Sequence, residues 1–409
     1  MTKKQRYKHT EIGTIPTDWK IEKLGEVADI VGGGTPSTSN AEFWSGDVNW
    51  FTPTEIGKEK YVFSSERKIT SFGLQKSSAK LLPVGTILLT SRATIGDVSI
   101  LVENKASTNQ GFQSLIAKKN THNEFLYYKL LTIKDEIISL ASGSTFLEIS
   151  PNKLKSIKIA LPSLPEQSRI ASVLSDTDTL ITALDKLIEK KKKIKDGAMV
   201  TLLTPKKKNE WKEVKLGEVG TTFGGLTGKI KSDFGNGHSQ YITFLNVLNN
   251  PIINKNIFEK VNVKQGESQN LVRKGDLFFN TSSETPEDVG TCSVLLDDVK
   301  NVYLNSFCFG YRTMSKKVDG LFLSYFFRSK KGREIMTALA QGATRYNLSK
   351  SLFNSIILKV PNYKKQTEIA NILSSMDVEI SALEQKREKY RQIKSGMMQQ
   401  LLNGQIRLN

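Results

Sequence analysis

The feature that most constrains this chain is that it contains much of itself twice. Laying the segment from Ala141 on the segment from Ala340, at a constant offset of 199, matches Gly143 with Gly342, Thr145 with Thr344, Ser150 with Ser349, Pro162 with Pro361 and Gln167 with Gln366. Ile170-Ala171, Leu174-Ser175, Asp178, Ile181, Ala183-Leu184, Ile194-Lys195, Gly197, Met199 and Leu202-Leu203 then recur without a gap as Ile369-Ala370, Leu373-Ser374, Asp377, Ile380, Ala382-Leu383, Ile393-Lys394, Gly396, Met398 and Leu401-Leu402. A second offset, of 192, pairs Trp19-Lys20 and Leu24-Gly25-Glu26-Val27 with Trp211-Lys212 and Leu216-Gly217-Glu218-Val219, followed by Gly32-Gly33 against Gly224-Gly225. Between these anchors the copies diverge, although Pro83-Val-Gly-Thr-Ile-Leu-Leu and Arg273-Lys-Gly-Asp-Leu-Phe-Phe remain equivalent frames. Shared ends around unlike middles describe one scaffold presenting two different surfaces.

The repeated ends read as helices. Apolar side chains fall at Ile170, Val173, Leu174, Leu180, Ile181, Leu184, Leu187, Ile188 and Ile194, and in the second copy at Ile369, Ile372, Leu373, Met376, Ile380, Leu383, Tyr390, Ile393, Met397 and Leu401. Spacings of three and four draw one continuous stripe. Pro165 and Pro361 stand just before the runs and Pro205 ends the first. The pattern predicts helices of about 35 residues, roughly 50 Å long at 1.5 Å per residue. A helix that long with a narrow apolar seam needs a partner, and the other copy is the obvious one. The seam is expected at Ile170, Leu174, Ile181, Leu184 and Ile188 on the first helix, and at Ile369, Leu373, Met376, Ile380, Leu383 and Tyr390 on the second. An antiparallel coiled coil of near-identical helices creates a pseudo-two-fold axis. Burial of each helix in its own domain is the alternative.

The intervening segments have a shorter period. Thr86-Ile-Leu-Leu-Thr, Val98-Ser-Ile-Leu-Val, Tyr241-Ile-Thr-Phe-Leu, Leu277-Phe-Phe and Phe307-Cys-Phe-Gly-Tyr are β-branched or aromatic runs bounded by Gly, Asn, Asp and Ser. The expected fold is α+β: sheet-rich domains at residues 1–165 and 205–364, with helices at 166–204 and 365–409. A chain of 409 residues is also too long for one core.

Composition narrows the partner. Lys and Arg number 59 against 41 Asp and Glu, a net charge of +18, which favours a polyanion such as nucleic acid or an anionic membrane surface. Two cysteines, Cys292 and Cys308, are too few for a disulfide framework and suit a reducing cytoplasm. Lys3, Lys4 and Arg6 are not followed by a signal-like apolar run, and no stretch approaches the ~20 residues a spanning helix needs. A soluble, cytoplasmic protein with no membrane partner is expected.

Catalytic motifs are near misses. Gly224 to Lys229 is similar to a phosphate-binding loop, but Phe223 stands where its first glycine belongs and Ile230 where its hydroxyl belongs. Pro286-Glu287 with Asp298-Val-Lys is similar to a metal-dependent nuclease constellation, yet comparable triplets recur at Glu213-Val-Lys and Glu384-Gln-Lys. His9, His122 and His238 lack neighbours at ligand spacing, so no metal site is expected. No Asn or Asp precedes a Pro-Pro-aromatic triplet of the kind an adenine methyltransferase carries.

The order of Trp19-Lys20, Leu24-Gly25-Glu26, Gly32 to Pro36, Gly143-Ser144-Thr145, Leu161-Pro162 and Pro165-Glu166-Gln167 resembles type I restriction-modification specificity subunits, and Trp211, Gly342-Ala343-Thr344 and Gln366 repeat it. The resemblance covers essentially the whole chain. It implies a subunit without catalysis, whose two target-recognition domains each read part of a split, non-palindromic site in double-stranded DNA. It also implies two conserved helices docking two methyltransferase subunits, which restriction subunits join. S-adenosylmethionine, ATP and Mg would be used by those other subunits, with no cofactor on this chain. One departure is Lys364-Lys365 where the first copy has Pro165-Glu166. Lys opposes the helix dipole at a first turn, so the second helix start is expected to be weaker and the two docking ends unequal.

Base reading needs donors and acceptors on loops, with cations to hold phosphates. In the first domain the candidates are Thr35, Ser37, Lys58, Ser91, Arg92, Thr94, Asn109, Gln110, Ser144 and Thr145; in the second, Thr227, Lys229, Asn280, Thr281, Ser282, Ser306, Thr344, Arg345 and Asn347. Each could equally cap a turn. Arg92 and Arg345 stand out, because a guanidinium grips guanine or phosphate through two parallel bonds. The runs Lys190–Lys193 and Lys206–Lys208 read either as a solvated face or as electrostatic steering of a duplex. Domains set about 50 Å apart would meet DNA about one and a half turns apart. The rival readings are a coiled-coil interaction scaffold, a nuclease, and a specificity subunit of a related restriction class with fused enzymes.

Overall fold

The computed structural model describes residues 6–143, 147–205 and 210–408. They fold as α+β in two compact units, each taking a share of both long helices: Met1–Asp185 with Lys386–Asn409, and Lys186–Gln385.

In the first unit, Lys20–Lys23 pairs antiparallel with Lys158–Leu161, closing the globule where the helix begins. Between them runs a five-stranded sheet in the order Ala28–Gly32, Gln113–Ala117, Ile87–Leu89, Val98–Leu101 and Tyr61–Val62. A smaller sheet centres on Trp44–Phe51, which runs parallel to Ala106–Thr108 and antiparallel to Lys68–Ile69. The second unit repeats this plan despite its different sequence. Lys212–Lys215 pairs with Ile357–Val360, and a sheet follows in the order Gly220–Gly224, Cys308–Thr313, Leu277–Asn280 and Cys292–Val294. Its smaller sheet centres on Phe234–Ile242, parallel to Val302–Leu304 and antiparallel to Glu259–Val261.

The central strands explain why the apolar runs are unbroken. Ile87 and Leu89 enter one core while Leu88 enters another; Leu277 and Phe279 do the same opposite Phe278. Both faces are covered, so alternation disappears. The run from Tyr241 departs from its expected strand. It ends at Ile242, and Thr243 caps a helix, Phe244–Asn249, its hydroxyl accepting the Asn246 N–H at 3.2 Å. A threonine side chain that satisfies an orphan helix donor outweighs the strand preference of the residues around it.

The long helices are Leu164–Leu202 and Tyr363–Leu401, 39 residues each. Pro165 sits in the first turn of one, where a missing N–H costs nothing. The second start is firmer than its lysines suggest, because the Asn362 side chain accepts the Lys365 N–H at 2.9 Å.

Within each unit the start of one helix packs on the end of the other. In the first unit Ile170, Ala171 and Leu174 share a core with Met397, Met398, Leu401 and Leu402; in the second Ile369, Ala370, Leu373 and Met376 share one with Ala198, Met199, Leu202 and Leu203. Ion pairs give the direction. Asp178 meets Lys394 at 2.5 Å and Asp185 meets Arg387 at 2.9 Å in the first unit; Lys191 meets Glu379 at 2.6 Å and Lys195 meets Asp377 in the second. One number rises as the other falls, which is antiparallel packing. Ile170, Leu174, Leu184, Ile188, Ile369, Leu373 and Ile380 are buried, and Ile181, Met376, Leu383 and Tyr390 half-buried. Full burial of a Leu or Ile contributes about 1.5–3 kcal/mol, which offsets the poor intrinsic stability of so charged a helix.

Candidate nucleic-acid interface

Two matched sets of side chains fasten the globules to the helices. Gln167 accepts from the His122 N–H at 2.8 Å and donates to the Asn120 and Pro162 carbonyls at 3.1 and 3.0 Å. Gln366 accepts from the Asp319 N–H and donates to the Lys317 and Pro361 carbonyls, all at 2.8 Å. A side-chain amide, with donor and acceptor fixed together, suits a buried helix start facing a loop. The second set crosses the copies. The Tyr128 hydroxyl donates to Asp178 at 2.6 Å, and Asp178 pairs with Lys394; the Tyr325 hydroxyl donates to Asp377 at 2.7 Å, and Asp377 pairs with Lys195. Burial pushes both phenols up, and the Asp charge adds to it, so each remains a donor.

Glu166 has no such counterpart. Its carboxylate accepts from the Trp19 indole at 3.2 Å and from Arg407 at 2.5 and 2.8 Å, and Arg407 also grips Asp18 at 2.9 and 2.8 Å. Lys365, at the matching place, is exposed and pairs with Glu368 at 3.2 Å.

The turns carrying the candidate residues gather at corresponding places in the two units. Gly33 lies so close to the Asn109 carbonyl that a Cβ would come within 2.0 Å of it, and Gly225 stands likewise to the Asn305 carbonyl. Only glycine lets the chain pass there. This brings Thr35 to Gln110, whose side chains are bonded, with exposed Ser37 alongside, bonded to Ser39 at 2.8 Å. Asn109 accepts its own turn's Gly111 N–H at 2.8 Å. In the second unit Thr227 is held by Gln269, through its N–H at 3.1 Å and its carbonyl at 2.8 Å, while Lys229 is taken by Glu267. The segment similar to a phosphate loop is thus a turn whose lysine is neutralised.

A second gathering joins distant loops. Ser282 pairs with Asn347 as a strand bridge, the Thr281 hydroxyl donates to the Phe307 carbonyl at 2.7 Å, and Ser306, Thr344, Arg345 and Asn347 are exposed. In the first unit Arg92 meets Glu148 at 2.8 Å while its side chain stays 45% exposed, and Thr94 is exposed beside it. These residues line a cavity of about 1230 Å³ with Asp97, Lys134 and Leu147. Lys58 is exposed on a separate turn.

Two candidates face inward. Ser91 is buried, its backbone fastened to Gly111 and Ile149. Asn280 is buried and accepts the Thr291 N–H at 2.7 Å while donating to the Asp288 carbonyl at 3.0 Å. As placed, both side chains are buried beneath the loops that carry their exposed neighbours. Ser144, Thr145 and Lys206–Lys208 lie outside the described residues. Of the other basic run, Lys191, Lys192 and Lys193 pair with Glu379, Glu384 and Glu189, at 2.6, 2.7 and 2.6 Å, the pattern of a solvated helix face. One exposed residue escaped the sequence reading. Phe307 was absorbed into an apolar strand, yet the strand begins at Cys308 and leaves Phe307 outside.

Among the described residues no group of three or more His, Cys, Asp or Glu could hold a metal ion, and no helix is long and apolar enough to cross a membrane. Cys292 and Cys308 are free, buried thiols, and burial pushes both up, away from reactivity.

The type I restriction modification DNA specificity domain matches twice, over residues 16–196 and 208–393. The chain belongs to this family. A specificity subunit of Methanocaldococcus jannaschii, of the type I restriction enzyme MjaIX, is 43% identical over 179 residues, which are 43% of this chain and 41% of that relative. The chain therefore spans well under two thirds of that relative's length. A second M. jannaschii relative, a putative specificity subunit of the enzyme MjaX, is 27% identical over 99% of this chain and 98% of its own. The S subunit of a type I restriction-modification system from M. genitalium shares the fold, with a TM-score of 0.58 at 16% identity over 94% of this chain and 96% of that one. The two matched stretches of this specificity chain coincide with its two internal copies, each entering its long helix.

Proposed function

We propose that this chain is the non-catalytic, cytoplasmic DNA-reading subunit of a type I restriction-modification complex. Its recognition regions, residues 1–165 and 205–364, each read one part of a split, non-palindromic duplex target. Its spacer helices, residues 166–204 and 365–409, carry two methyltransferase subunits, which restriction subunits join. S-adenosylmethionine, ATP and Mg belong to those partners.

The observation that carries this reading is one frame furnished with unlike side chains at the same places. Gln110 in one unit answers to Ser306 in the other, and Glu148 to Asn347. Two equal surfaces would suit a palindrome; two different sets of donors and acceptors suit two different base sequences. The net charge of +18 supplies the sequence-independent attraction such a reader needs.

The test is a domain exchange. Residues 1–165 are replaced by the corresponding region of a subunit with a known target, and modified adenines are mapped after co-expression with the methyltransferase. One half of the mapped target should change and the other stay. A target that changes in both halves, or one contiguous palindrome, would overturn the reading.

A further inference from the structure

Phe307 is exposed over 55% of its surface, although the next residue, Cys308, is buried in a packed core. Its backbone is fixed on both sides. The Phe307 N–H donates to the Asn305 side chain at 2.8 Å, and its carbonyl accepts from the Thr281 N–H at 2.9 Å and hydroxyl at 2.7 Å. The ring is therefore held outward by a rigid turn.

The first unit closes the same turn at the corresponding backbone groups, without the hydroxyl bond that Thr281 adds. The Gly111 N–H donates to the Asn109 side chain at 2.8 Å, and the Gly111 carbonyl accepts from the Ser91 N–H at 2.7 Å. Upstream the correspondence continues: the Asn109 N–H donates to the Phe51 carbonyl at 3.1 Å, and the Asn305 N–H to the Ile242 carbonyl at 3.0 Å. So the frame closes with glycine at this position and does not need an aromatic ring. In the first unit Pro53 covers the place, since a Cβ on Gly111 would lie 2.8 Å from its ring. In the second unit the same position carries an exposed phenyl group. The scaffold does not require this side chain, which stands on the turn that carries Ser306, and the Phe307 carbonyl is bonded to the loop of Thr281 and Ser282.

What it meets follows from its neighbours. Ser306, Arg345 and Asn347 offer hydrogen bonds, and base edges in either groove answer those. Phenyl offers none. The apolar group on a base edge is the C5-methyl of thymine, and it lies in the major groove. Resting on the DNA-reading role proposed above, we propose that Phe307 is a specificity-determining residue that contacts a thymine methyl in the part of the target read by the second unit.

The full chain is used to select its target from a randomised duplex library, beside the variant Phe307→Gly, which copies the residue of the first unit. Wild type should select a thymine that Phe307→Gly no longer prefers. Replacing that thymine by uracil, which lacks only the methyl, should weaken wild-type binding by about fourfold, the worth of one buried methyl, and leave Phe307→Gly unmoved. Selection of the same bases by both proteins would overturn the role of Phe307 while leaving DNA reading intact. Uracil tolerated at every position by wild type would overturn the methyl contact, and a loss on Phe307→Gly independent of uracil would identify a wedge between bases instead. A wild-type chain that selects no sequence would overturn the DNA-reading role itself.

Discussion

Arg407 is the keystone of a clasp on the first unit, and its removal gives a calculable result. Its side chain is 13% exposed, and that of its partner Glu166 is 4% exposed. Arg407→Ala removes two of the three donors around the Glu166 carboxylate and leaves the Trp19 indole at 3.2 Å. Breaking a buried pair from one side costs about 3–5 kcal/mol, because a charge is left without compensation. Asp18 is 64% exposed, so its share of the grip is worth no more than about 1 kcal/mol. The expected loss is about 3 kcal/mol in the first unit alone, or roughly a hundredfold in its opening equilibrium. Native-state hydrogen exchange reads it: amides at 7–16 and 397–408 should lose protection while those of the second unit keep theirs. Adding Glu166→Gln to Arg407→Ala should recover about half, since the orphaned charge is gone. A loss below about 1 kcal/mol, or a double variant no better than the single one, would refute the clasp as a buried ion pair.

Arg345→Ala should weaken binding to the selected duplex by about 1–3 kcal/mol if the guanidinium reads a base, with random duplex unaffected; equal affinities in a titration would remove it from the interface. Lys129 offers a pH test. Burial pulls its ammonium down from the usual lysine range to about 8, and it donates to the Leu402 carbonyl at 3.2 Å. The folded chain then gives up this proton before the unfolded chain does, so the first unit should gain stability as pH rises from about 8 towards 10.5. Lys129→Met should remove that rise and be more stable at neutral pH, by about 1–3 kcal/mol. Denaturant midpoints between pH 7 and 10 check both, and parallel slopes for the two proteins would disprove it.

How much the sequence disclosed depended on what each residue was asked to reveal. Repetition was legible because matched residues make matched contacts: Gln167 and Gln366 hold the same kind of loop, and Asp178 and Asp377 the same kind of tyrosine. The heptad-like stripe was legible because packing demands it. The run from Tyr241 was misjudged where Thr243 caps a helix, since a β-branched residue has a strand preference and a capping chemistry at once. The interface was the least legible part. A Ser or Asn in a turn has the same chemistry whether it is exposed or stitches the turn from inside, so buried Ser91 and Asn280 could not be told from exposed Ser306 and Asn347. Nothing in the spacing revealed that Arg92 would meet Glu148, or Lys229 meet Glu267. Phe307 was hidden for the opposite reason: its apolar neighbours are buried, and a one-residue step across the start of a strand reverses which side a chain faces.

The division of labour between the two long helices bears on how the molecule is made. Everything in the unit Lys186–Gln385 leaves the ribosome as one stretch and can close as soon as it is free. The other globule, although translated earlier, waits: Met397, Leu401 and the arginine that grips Glu166 arrive only after all of that stretch. A chain released just after residue 385 would thus carry a finished later globule and an earlier one with its apolar floor open to chaperones and proteases. Quality control would sense early termination at the end of the protein that was synthesised first.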